Sequence, residues 1–183
     1  METGNRVVRI LCLVAGMWSC VPSANLFAEG ASVESPERMR LARVFADNMV
    51  LQRDKPVPVW GWAAPGEEVT VSFGDQELSA KADDKGNWQI KLSAMPASTN
   101  SHVLVVSGSQ TEASVTVSNI VIGDVWICSG QSNMEFTLGA CLQSKEEIET
   151  ANYPLLRHFK VGHTASDVPK TDIKGQWAIC SPQ

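Results

Sequence analysis

Between Leu41 and Asn119 the sequence is cut repeatedly by turn residues into short runs that alternate apolar and polar side chains. Val69, Val71 and Phe73 alternate with Thr70 and Ser72, and Val103/Val105 and Val115/Val117 repeat the pattern. A two-residue period places one apolar face on a core and leaves the other wet, which is the signature of a half-buried strand and not of a helix. The runs predict strands at Leu41–Ala46, Met49–Gln52, Pro58–Ala63, Glu68–Phe73, Glu77–Ala82, Trp88–Leu92, His102–Ser107 and Ala113–Ser118. Many short strands at roughly 8- to 12-residue spacing predict a small antiparallel β-sandwich over residues 41–118.

The breaks have their own chemistry. Ala64-Pro65-Gly66 joins a fixed φ to a permissive residue, as a turn requires, and Asp83-Asp84-Lys85-Gly86-Asn87 reads as a hairpin connection. No bidentate Glu follows the Asp pair at the spacing a calcium loop needs, so a plain turn is favoured. Trp60 and Trp62 share one strand face and, with Trp88, either fill the space between sheets or form a sugar-stacking platform. Core filling is the favoured reading.

At Asn119 the pattern changes. Asn119–Cys128 is nearly continuously apolar apart from Gly123-Asp124, which suits a strand covered on both faces, as in a parallel sheet. Ser129-Gly130-Gln131-Ser132-Asn133-Met134-Glu135-Phe136 follows, and then a helical pattern through Leu142, Glu146, Ile148 and Glu149. A buried strand, a Gly-containing turn and a helix together expose a hydroxyl at a sheet edge, with backbone N–H groups directed at the same place. Ser132 is the candidate nucleophile, with its own N–H as an oxyanion donor, and Gly130 allows close backbone passage. Ser132 or Asn133 acting only as a helix cap fits the spacing equally well. The block is not a G-x-S-x-G elbow, because Met134 stands where the second Gly belongs.

Composition narrows the classes. Hydrophobic residues make up 44% and charged residues 19% of the 183-residue chain, which excludes disordered and collagen-like sequences. The net charge of −5 comes without a basic cluster, so no nucleic-acid partner is expected. No apolar run is long enough for a membrane span. Arg6 and Arg9, the apolar Ile10–Trp18 stretch and small residues to Ala28 predict a signal peptide over 1–28 and export to the periplasm or beyond, a buried N-terminal helix being the alternative. Trp18 stands where a lipoprotein box needs a small residue, which argues against lipidation at Cys20. Cys128, Cys141 and Cys180 would remain after cleavage, and an odd count allows at most one internal disulfide. Their spacing matches no metal site.

The segment Val125–Phe136, VWICSGQSNMEF, resembles the nucleophile block of the sialate O-acetylesterase family, SGNH-hydrolase-like carbohydrate esterases. Asp47–Val71 is similar to that family's N-terminal β module, and Ala151–Val161 to its next strand. The resemblance implies a β-sandwich module (41–118) followed by the first part of a three-layer α/β esterase domain (119–183). It implies a serine hydrolase that removes acetyl esters from sugars such as sialic acid, with no metal or organic cofactor. By position, Ser132 is the nucleophile, and Gly130, Gln131 and Asn133 shape the turn and its oxyanion donors. Acetylxylan esterase shares this chemistry with another substrate. A non-catalytic carbohydrate-binding or adhesion module is the alternative of a different class.

The same resemblance implies a general base in an Asp-x-x-His block, and none is present. The residues three before His102, His158 and His163 are Thr99, Leu155 and Lys160. The stretch after Ser132 is also short against the roughly 100 to 200 residues of a doubly wound domain. The expectation is therefore an incomplete, N-terminal portion of an esterase, inactive alone.

Overall fold

The computed structural model describes residues 39–110 and 114–182. The predicted signal segment 1–28, with Cys12 and Cys20, lies outside them.

Among the described residues, ten strands account for most of the regular structure, with one short α-helix and two single-turn 3-10 helices. Strands β1 (Arg40–Leu41), β3 (Val57–Trp62) and β6 (Asn87–Leu92) form one sheet in the order β1-β3-β6. Strands β2 (Val50–Gln52), β4 (Glu68–Phe73), β5 (Gln76–Lys81), β7 (Ser98–Gly108) and β8 (Ser114–Gly123) form a second, ordered β2-β8-β7-β4-β5. All pairings in these two sheets are antiparallel except β2 with β8.

The period-2 pattern sets the register. Val69, Val71 and Phe73 of β4 are buried, and so are Leu104 and Val106 of β7 and Trp88, Ile90 and Leu92 of β6. Together with Val57 and Val59 of β3 they form one hydrophobic cluster fed by the inner faces of both sheets. A single-residue slip in any of these strands would turn its apolar set out to water, which fixes the pairing.

Several sequence expectations are corrected in detail. Only Arg40–Leu41 of the Leu41–Ala46 run is a strand; the chain then turns, with the Phe45 N–H donating to Ala42 O at 2.9 Å and Asn48 at φ 69°. The Asp83–Asn87 segment is not a hairpin within one sheet. Its strand before pairs with β4 and its strand after with β3, so the turn carries the chain between sheets. Asp83 Oδ1 builds that turn by accepting from the Lys85 and Asn87 N–H groups, each at 2.8 Å. The true two-residue hairpin is Gly74-Asp75 between β4 and β5, with Gly74 at φ 57°.

The continuous apolar run is also relocated. The strand containing it begins at Ser114 and stops at Gly123, so Asn119–Cys128 is not a separate strand opening a parallel sheet. Ile120, Val121 and Ile122, in a strand flanked by β2 and β7, are buried in succession, so both faces of β8 are covered there. Beyond Gly123 the described residues supply no neighbouring strand, and Trp126 and Ile127 are 84% and 94% exposed.

Past the helix α1 (Ser144–Thr150), strands β9 (Tyr153–Val161) and β10 (Gly175–Cys180) pair antiparallel as a two-stranded sheet. Polar contacts hold this region to the strands before it. The Trp177 indole N–H donates to Val44 O at 2.8 Å, and the Arg157 guanidinium grips Asn119 through its carbonyl and side-chain oxygens. Partial burial draws the Arg157 guanidinium below its ordinary value. Asp172 accepts from the Arg43 N–H at 2.8 Å and pairs with the Arg40 side chain at 3.4 Å.

Candidate functional site

The block that carries the candidate nucleophile leaves β8 through two tethers. Arg53 pairs with Asp124 at 2.9 Å, which holds the guanidinium above its ordinary value, and the Val125 N–H donates to Gln52 Oε1 at 2.9 Å. Both tethers come from the end of β2, so the chain departs at a fixed place on the sheet edge.

Ser132 opens a one-turn 3-10 helix, Ser132–Met134. Gln131 caps it in extended conformation, and the turn is closed by the Met134 N–H to Gln131 O at 2.8 Å and the Glu135 N–H to Ser132 O at 3.1 Å. Gly130 is where backbone and side chain come close: a Cβ there would stand 2.6 Å from Met134 Cγ. That contact gives the Gly a steric reason in this turn. Gly130, Gln131, Ser132 and Asn133 are all exposed, so the hydroxyl is open to a substrate.

The cap role left open for Ser132 and Asn133 is not what the turn uses. No side-chain hydrogen bond caps this 3-10 turn. The strand-turn-helix corner is looser than the spacing suggested, because the strand stops at Gly123 and the α-helix begins only at Ser144.

Among the described residues the Ser132 hydroxyl makes no hydrogen bond. One histidine–carboxylate contact nevertheless sits in this block: His163 Nε2 lies 2.7 Å from Glu135 Oε1, both side chains exposed. Sequence reasoning missed it because the partner is distant in the chain, and no spacing rule pairs a loop histidine with a turn glutamate. His158 lies on β9, and His102 on β7, where it contacts Ser98 Oγ at 3.1 Å.

Cys128, Cys141 and Cys180 are free thiols. Among the described residues no group of three or more His, Cys, Asp or Glu side chains is gathered for a metal ion, and no helix is long and apolar enough to cross a membrane.

The tryptophans divide between two faces. Trp88 belongs to the core, at 3% exposure. Trp60 and Trp62 lie on the other face of β3, half-buried beside Gln89 and Asn87 of β6; they pack against the core cluster but do not fill the space between the sheets.

No protein-family profile matches the chain. Among solved structures it is similar to a carbohydrate acetylesterase from Xanthomonas citri, with a TM-score of 0.75 and 36% identity over 79% of this chain and 33% of that one. That likeness extends over most of the described residues and is one of sequence as well as fold. It is 30% identical over 145 residues to the sialate O-acetylesterase of Rattus norvegicus, covering 74% of this chain and 27% of that protein. The Mus musculus and Homo sapiens proteins of the same name match at 29% and 27% identity, covering 73% and 76% of this chain. These matches support assignment of the chain to the sialate O-acetylesterase family. It spans 26–29% of the length of the curated relatives it matches.

Proposed function

We propose that this chain carries the nucleophile of an exported carbohydrate acetylesterase, with Ser132 as that nucleophile. The observation that carries the reading is an exposed Ser132 hydroxyl within the Gly-Gln-Ser-Asn block of a chain whose relatives are named for this chemistry. Ser132 Oγ attacks the carbonyl carbon of a sugar O-acetyl ester, and its proton passes to a general base. The acyl C–O bond then breaks, the sugar hydroxyl leaves with a proton, and water releases acetate from the acetyl-serine. The N–H groups of Ser132 and Asn133 stabilise the oxyanion. Residues 41–118 are the sandwich module in this reading, residues 119–183 begin the SGNH-type α/β domain, and residues 1–28 direct export.

No described side chain hydrogen-bonds the Ser132 hydroxyl, and in this reading it is unactivated in this chain. Loss of a serine-triad member costs on the order of 10⁴–10⁶ in rate in serine proteases. Aryl acetate turnover by the 183-residue chain is expected to stay near the uncatalysed rate. A fluorophosphonate at high concentration should label Ser132 slowly, with mass spectrometry placing the adduct there and finding none in Ser132→Ala. Labelling spread evenly over other serines would reject Ser132 as nucleophile. Fast turnover abolished by Ser132→Ala would instead show a base within this chain.

A further inference from the structure

The outer face of the β1-β3-β6 sheet carries a cavity of about 740 Å³, remote in sequence from the Ser132 block. Its volume falls within the roughly 300–1,000 Å³ of small-molecule sites. Trp60 and Trp62, Asn87 and Gln89, Asp83 and Lys170 line it. The register explains the grouping: Trp60 stands opposite Gln89 and Trp62 opposite Asn87, so two indoles and two amides form adjacent cross-strand pairs on one face.

The indoles are held in place. The Trp60 N–H donates to Thr171 O at 2.9 Å, and its ring meets Phe45 edge-on at 4.7 Å. The Arg40 guanidinium lies 3.8 Å from the Trp62 ring centroid and is itself tied to Asp172. A fixed aromatic surface loses little conformational entropy when a ligand lies on it. Polar capacity is left over as well. Asn87 spends its NH₂ group on Asp83, at 3.0 and 3.1 Å, which leaves its amide oxygen as an acceptor. Among the described residues the Gln89 and Lys170 side chains make no hydrogen bond.

We infer that this cavity is a second carbohydrate site, binding the pyranose ring of a neutral glycan. Apolar C–H faces of a pyranose match indole surfaces, and its ring of hydroxyls needs both donors and acceptors at close quarters. A purely apolar ligand would leave Asn87 and Gln89 unpaired, and one Asp against one Lys gives no net preference for a charged ligand. The site is independent of the ester-hydrolysis reading, since none of its residues belongs to the Ser132 block.

The test is to titrate the full chain with cellohexaose, xylohexaose and mannohexaose, following tryptophan fluorescence and calorimetric heat. At least one should bind saturably, with a spectral shift. Trp62→Ala should weaken that binding by at least roughly 10-fold, and Gln89→Ala by about 3-fold. Gln89 is an exposed side chain outside the core, so its variant decides the matter if Trp62→Ala unfolds. Saturable binding to none of the three glycans, or binding undiminished in the folded variants, overturns the inference.

Discussion

Glu67 offers the sharpest test of how the two main sheets are joined. It is fully buried, the charged residue at the foot of the turn between β3 and β4. Its N–H donates to Ala64 O at 3.0 Å, and its Oε2 accepts from the Ala64 N–H at 3.0 Å, so one turn is closed twice. Its Oε1 accepts from the Gln110 N–H at 3.3 Å, linking that turn to the end of β7. Hydrogen bonds to a charged group contribute roughly 1.5–3 kcal/mol each, and the longer contact belongs at the lower end. Glu67→Ala strands both donors and leaves a void, so it should cost about 3–5 kcal/mol. Glu67→Gln keeps the shape and one carbonyl acceptor, and should cost about 1–2 kcal/mol. Urea unfolding followed by tryptophan fluorescence measures both as midpoint shifts at constant slope. A loss under about 1 kcal/mol for Glu67→Ala, or equal losses for the two variants, would refute the account of Glu67 as a buried acceptor.

Two further outcomes test other joints. Gly61→Ala places a Cβ 2.1 Å from the Arg40 carbonyl oxygen and 2.7 Å from the Trp88 ring, so β1 must part from β3; a thermal melt should show about 1–3 kcal/mol of destabilisation or more. Asp47 is held below its ordinary value by the N–H and hydroxyl of Ser118, and Asp83 by the side-chain amide and N–H of Asn87. Because both folded values lie below the unfolded one of 3.8, their contribution is complete above that pH and is lost as pH falls through the lowered values. Melting temperature should therefore drop in this acid range, and less steeply in the Asp47→Asn/Asp83→Asn double variant; an unchanged acid slope would count against it.

Much of the strand layout was legible because it rests on local alternation. Glu68–Phe73 was predicted to its end residues, and Trp88–Leu92 to within one. What was not legible is which strand each run meets. Asp83–Asn87 has hairpin chemistry, yet its flanking strands belong to different sheets, a choice made by distant partners. Of the apolar run from Asn119 only Ile120–Ile122 is buried, within a strand whose neighbours are β2 and β7, which a periodicity argument does not name, while Trp126 and Ile127 are exposed. Trp60 and Trp62 were placed in the core because they share one strand face, whereas register puts Val57, Val59 and Gly61 on the inner face and the indoles on the other. Within the candidate site, the tight turn at Gly130 was readable from local sequence. The His163–Glu135 contact was not, since it depends on how a later loop returns.

The pairing of β2 with β8 has a consequence for biosynthesis. Val50 lies beside Val121 in parallel register, and Asp47 and Asn48 are bonded to Ser118 and Asn119, each 71 positions further on. A nascent chain therefore holds an early edge segment without its neighbour until residue 123 has left the ribosome. Such distant closure is slow, because the entropy of a long loop is lost before the contact forms. Ribosomal pausing before that point would extend the time in which a chaperone, or another copy's exposed edge, competes for β2.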